Sequence, residues 1–173
     1  MSKTIDYSKL TLKDALDLAI LVEDEAKERY VEFAEQMEAH HTTEAAHFYR
    51  FMAQNETRHG RDLLERRQTL FGGAPSRIDR SMLWEVEAPE YEKAHAFMSP
   101  RAALEVALES EAKAWLFFDN VLKYVHDPVV KRLFEELRNE EVEHQELVKK
   151  EIGKLPPDSG MADEDFVDEP VAQ

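Results

Sequence analysis

Apolar residues recur along the chain at intervals of three and four, the α-helical period, in four separate stretches. The first carries Leu16, Ala19, Ile20, Ala26, Tyr30, Phe33 and Met37, and the second Ala45, Phe48, Met52, Leu63 and Leu70. The third carries Leu104, Ala107, Leu108, Ala114, Trp115, Phe118 and Leu122, and the fourth Val130, Leu133, Leu137, Val148 and Ile152. Punctuation sets the bounds. Thr11, with Asp14 three residues on, is an acidic capping box and opens a helix over about 11–39. Thr42 or Thr43 caps a second over about 43–70, stopped by Gly72-Gly73-Ala74-Pro75. Ser99-Pro100 and Asp127-Pro128 each place a cap before a proline at the first helical position, opening helices over about 100–126 and 128–153.

The turns around His40-His41 and His126-Asp127 are short, so the helices pair as two antiparallel hairpins. Residues 72–98 are too many for a simple turn and predict a long crossover that docks one hairpin beside the other. The expected fold is all-α, a four-helix bundle in a single domain over 1–153. The crossover carries Met82, Leu83, Trp84, Tyr91, Phe97 and Met98, too apolar for a free linker, and is expected to pack on the bundle or on a second subunit. Pro89 is expected to start a short helix there. From Lys154 onward the acidic composition and Leu155-Pro156-Pro157 predict a disordered tail.

The hairpins repeat one another. Residues 15–23, ALDLAILVE, match residues 103–111, ALEVALESE, at an offset of 88, which pairs Glu23 with Glu111 and Tyr30 with Phe118. The second and fourth helices match at an offset of 85, pairing Glu56 with Glu141 and His59 with His144.

All four apolar stripes are interrupted by acid. Glu23 falls between Ile20 and Ala26, and Glu111 between Leu108 and Ala114. Glu56 and His59 interrupt the series from Met52 to Leu63, and Glu141 and His144 the series from Leu137 to Val148. A glutamate three residues before a histidine is a weak sign alone, because five of the seven histidines have one. His41, His47 and His95 are read as solvated: they sit at a turn, off the apolar stripe and in the crossover. Depth separates the remaining pairs. Glu23 and Glu56 each lie 16 residues from their turn and Glu111 and Glu141 each 15, which at about 1.5 Å per residue puts all four at one level of the bundle.

Four bare carboxylates in an apolar layer would cost many kcal/mol or take up protons. No lysine or arginine is read onto these stripes, and Arg50, Arg58, Arg61, Arg66 and Arg67 are assigned to surface ion pairs. Two divalent cations would balance four carboxylates, and a carboxylate-rich set with two imidazoles suits iron or manganese. The i, i+3 spacing lets Glu56 and Glu141 bridge two metals, with His59 and His144 as nitrogen ligands and Glu23 and Glu111 at the ends.

Composition removes alternatives. The chain of 173 residues has no cysteine, which excludes disulfides, thiolate nucleophiles and iron–sulfur sites. Its net charge of −15 opposes binding to nucleic acid or an anionic membrane. No apolar run approaches a membrane span or a signal peptide, so a cytoplasmic protein is expected.

In combination, Glu23 with Tyr30 seven residues on, Glu56-x-x-His59, Glu111 and Glu141-x-x-His144 resemble the rubrerythrin branch of the ferritin-like superfamily. The resemblance covers about Thr11 to Gly153 apart from the crossover. It implies a ferritin-like bundle holding two iron ions per chain, with manganese or zinc as substitutes and no haem. It also implies reaction with hydrogen peroxide or O2, as a peroxidase or ferroxidase in oxidative-stress or iron handling, and a homodimer. Tyr30 resembles the family tyrosine that stands beside the site and hydrogen-bonds a ligand. Three departures stand out. The cysteines of a rubredoxin-like domain are missing, so electrons are expected from a separate donor protein. Ala114 and Trp115 occupy the region of a further third-helix glutamate, and Phe118 replaces a second tyrosine. An iron-binding or sensing module without turnover is the alternative.

Overall fold

The computed structural model describes residues 5–83 and 99–156. Four helices account for most of them: α1 (Leu12–Ala39), α2 (Thr43–Phe71), α3 (Pro100–Leu122) and α4 (Pro128–Ile152). The caps explain the starts. The Thr11 side chain accepts from the Asp14 N–H while the Asp14 carboxylate accepts from the Thr11 N–H, a reciprocal pair that satisfies two exposed amides at the helix start. Ser99 and Asp127 cap α3 and α4, each followed by proline. Thr42, by contrast, makes no capping bond with its side chain. The α1–α2 turn is closed by His41 in the left-handed region, at φ 62°.

α3 is shorter than its apolar pattern predicts and ends at Leu122 rather than near residue 126. The Tyr124 and Val125 amides turn back onto the Val121 carbonyl, and Val125 is buried under the bundle end. Asp127 must then be extended to precede Pro128, which leaves no room for a further helical turn.

The helices pair as α1 with α2 and α3 with α4, and the two hairpins form one ferritin-like bundle. Its core falls into two apolar clusters. One is aromatic and sits at the α1–α2 turn, built from Tyr30, Phe33, Met37, Tyr49, Leu104 and Val148. The other holds Leu16, Leu63, Phe118, Leu133, Phe134 and Leu137 at the opposite end. Each cluster draws on all four helices. Between them runs a buried polar layer of Glu23, Glu56, Glu111, Glu141 and His144.

Some stripe residues stand elsewhere than expected. Leu70 is 52% exposed, while its neighbour Phe71 packs on the second cluster, and Tyr49 takes a buried place where its hydroxyl donates to the Ala103 carbonyl at 2.5 Å. Arg67 is not a surface ion pair. It lies four residues after Leu63 on the core face, is buried, and binds the Asp17 carboxylate at 2.7 Å. Its remaining donors reach the carbonyls of Gly72 and Ala74, fastening the chain as it leaves α2. The other four arginines of α2 do face outward, Arg50 against Glu38 and Arg66 against Glu136.

The first part of the crossover is docked: Leu83 is buried in the second cluster, after a single 3-10 turn at Arg80–Met82. Trp84, Pro89, Tyr91, His95, Phe97 and Met98 lie outside the described residues, as does the tail from residue 157. Where the tail begins, Leu155 packs on the aromatic cluster and Arg101 donates to the carbonyls of Ile152, Leu155 and Pro156. Among the described residues no helix is long and apolar enough to cross a membrane.

Candidate metal centre

The six interrupting residues come from four helices and meet in the polar layer. Helix period alone would bury them; what brings them to one height is the matched distance from each turn. Glu23, Glu56, Glu111, Glu141 and His144 are all at least nine-tenths buried, while the His59 side chain keeps 17% exposure. The imidazoles of His59 and His144 stack face to face, with ring centroids 5.0 Å apart and planes within 1°. Around them the donors fall into overlapping groups whose ligand atoms lie within 4.8 Å of one another. Glu56, His59 and His144 form one, Glu111, Glu141 and His144 another.

His144 is enclosed by acid. Its Nδ1 stands 3.0 Å from Glu111, 3.5 Å from Glu56 and 3.8 Å from Glu141. Burial opposes a charge there, but the hydrogen bonds and charges of these carboxylates outweigh it and push the imidazole pKa up to about 12. The proton of His144 thus acts as the cation of this half of the layer. His59 behaves in the opposite sense: burial, aided by the positive His144, lowers its pKa to about 4. Its Nδ1 is 3.9 Å from Glu23 and 4.0 Å from Glu140, too far for a hydrogen bond. The Glu56 carboxyl is raised, chiefly by burial.

The donor set fits a pair of divalent metals. Two buried imidazole nitrogens, His59 Nδ1 and His144 Nε2, have no hydrogen-bond partner among the described residues. Buried polar atoms are otherwise almost always satisfied, so His59 Nδ1, left without a partner near the carboxylates of Glu23 and Glu140, marks a place suited to a ligand. Oxygen and imidazole donors without thiolate favour iron or manganese.

Tyr30 reaches the layer from α1. Its hydroxyl donates to Glu111 of α3, across the bundle, rather than to Glu23 on its own helix. Phe118, its counterpart in the repeat, is fully buried in the second cluster and gives no such bond. A cavity between α1 and α3 opens onto the layer beside Tyr30, walled by Ala26, Ala114 and Ser110 with Arg29 at its side. His41 and His47 are exposed and stand apart from the layer.

Glu140 is the addition that the apolar stripes do not reveal. It precedes Glu141 on α4, is half-buried, and completes a third group with Glu23 and His59. Burial and the neighbouring acids raise its carboxyl, against the pull of His144.

A buried layer of glutamates and histidines, given by four helices in two hairpins, defines the ferritin-like class of carboxylate-bridged bundles. The rubrerythrin family model matches residues 14–152, and the chain belongs to that family. A solved structure agrees: the crystal structure of an uncharacterised conserved protein from Magnetospirillum magnetotacticum MS-1 is similar, at 35% sequence identity and a TM-score of 0.67. The similarity covers 87% of this chain and 99% of that one. No curated protein matches the chain.

Proposed function

We propose that this chain is a non-haem di-iron carboxylate oxidoreductase acting on hydrogen peroxide or O2. The observation that carries the reading is the convergence of four carboxylates and two imidazoles in one layer, with two imidazole nitrogens lacking hydrogen-bond partners among the described residues. Glu56 and Glu141 would serve as bridging ligands, Glu23 and Glu111 as terminal carboxylates, and His59 and His144 as nitrogen ligands. When bound, the two irons supply the two electrons that peroxide or O2 takes up.

The remaining roles belong to the protein. The Tyr30 hydroxyl fixes the orientation of Glu111 and holds a proton at the mouth of the α1–α3 cavity. The small side chains of Ala26 and Ala114 leave that cavity room for a small oxidant, and the two apolar clusters close the bundle on either side of the layer. A chain without cysteine holds no thiolate-ligated iron, so an external donor protein returns the electrons. On this reading the chain works in the cytoplasm and as a homodimer, the latter as its family resemblance implies.

Anaerobic iron titration of the metal-free protein, followed by peroxide addition and near-ultraviolet absorbance, tests the proposal. Two irons per chain and a new absorbance band after peroxide are expected; a chain that takes up no iron refutes it. Iron bound without reaction would leave an iron-binding or sensing module instead. Repeated turnover with an external reductant marks a peroxidase, and oxidation of more than two irons per chain marks a ferroxidase.

A further inference from the structure

We infer that Glu140 is a seventh metal ligand, and that it makes the His59 side of the centre the position where metal enters and exchanges; the inference rests on the di-metal reading above. Three donors meet there. One carboxylate oxygen each of Glu23 and Glu140 and one imidazole nitrogen of His59 lie within 4.8 Å of one another. Donors around one ion at about 2.0–2.2 Å stand no more than about 4.4 Å apart, so a few tenths of an ångström of side-chain movement closes the set. His59 Nδ1, buried and without a hydrogen-bond partner among the described residues, lies between the two acids at 3.9 and 4.0 Å.

This group differs from the other two in reaching the surface. Exposure rises from Glu23, at 4% of its side chain, through His59 at 17% to Glu140 at 41%. The exposed end opens into a groove between α2 and α4, with Asp62 and Glu136 farther along its walls. Arg66, the basic residue of that groove, is already paired with Glu136 at 3.1 Å. A cation approaching here passes Asp62 and Glu136, each paired with an arginine, and then meets Glu140. The cavity on the α1–α3 side also reaches the layer carboxylates, but its mouth carries Arg29 and the small side chains of Ala26 and Ala114 and no acid from outside the layer.

The repeat shows that the feature is one-sided. At the offset of 85, Glu140 corresponds to Asn55, which is buried and whose side-chain oxygen accepts from Arg58. An amide brings no charge and is a weak donor to iron or manganese. Among the described residues the His144 group therefore has no added acid at this place, while the His59 group has one at the surface.

The test is anaerobic cobalt(II) titration of metal-free protein, read by visible absorbance, with release measured against a chelator. The wild-type chain is expected to take up two ions. In Glu140→Gln one ion should bind as before while the other weakens by about tenfold or more and leaves first to the chelator. Glu143→Gln removes the same charge from an exposed place on the same helix and should change neither ion. Circular dichroism checks that each variant is folded; Glu140→Ala supplies a second variant without the amide. Unchanged affinities in both Glu140 variants, equal weakening of both ions, or the same loss in Glu143→Gln would overturn the assignment of Glu140 alone. A wild-type chain that binds fewer than two ions would overturn the di-metal reading, and this inference with it.

Discussion

In the α1–α2 hairpin His59 stands at the lip of a groove, its nitrogen almost 4 Å from the nearest acids and its pKa lowered to about 4. In the α3–α4 hairpin the corresponding His144 is sealed among three carboxylates and raised to about 12. The surroundings diverge further: Tyr30 bonds Glu111 while Phe118 stays in the core, and Asn55 stands where α4 has Glu140. The repeat keeps donor types and spacing. Charge and access at each half are set by the neighbours one turn away.

The largest expected effect would show where the hairpins are alike. Glu56→Ala and Glu141→Ala should each remove most metal from both positions, since each is assigned as a bridge; full dinuclear occupancy in either, by metal analysis, would end the bridging assignment. The histidines should then separate the halves. In metal-free protein His144→Ala removes the positive charge enclosed by three buried acids and should cost about 3–5 kcal/mol in urea unfolding. His59→Ala, at the groove lip, should cost markedly less, and equal losses would show that the hairpins are not electrostatically distinct.

A smaller contrast concerns how each hairpin is tied. Arg67 and Asp17 join α2 to α1 as a buried pair, whereas Arg138 and Asp119 join α4 to α3 with 30% and 28% of their side chains exposed. Arg67→Ala should therefore cost about 3 kcal/mol and Arg138→Ala at most about 1 kcal/mol in the same unfolding experiment.

The smallest effect falls at the start of α1. Burial pushes the Asp14 carboxyl up, but hydrogen bonds from Arg77 and Thr11 prevail and hold it at about 2. With a folded pKa below the ordinary 3.8, its stabilisation is complete above about pH 4 and is lost as pH falls through 2. Asp14→Asn should flatten that acid limb and cost about 1 kcal/mol at neutral pH, read from unfolding at a series of pH values.

Much of this is legible in the sequence. Caps at Thr11, Ser99 and Asp127 are local signals, and Glu23, Glu56, Glu111 and Glu141 stood out because acid on an apolar stripe contradicts its period. What stayed hidden depends on which helices are neighbours. Glu140 lies one residue off the α4 stripe, and only the packing of α2 against α4 turns it toward His59. The partner of Tyr30 was hidden for the same reason, since Glu111 is on another helix. Arg67 did carry a signal: it follows Leu63 by four residues on the core face, and grouping it with the other arginines of α2 obscured its burial.

The polar layer lies between the two apolar clusters and crosses all four helices. On the proposed function, the chain's lifetime in a cell is then tied to its metal supply. A ligand that binds only the folded chain lowers the population of opened forms in step with the ratio of its free concentration to its dissociation constant, about a hundredfold at a ratio of about a hundred. Proteases act on those opened forms. Chains starved of metal would be degraded first, so the amount of protein would follow available iron with no change in its synthesis.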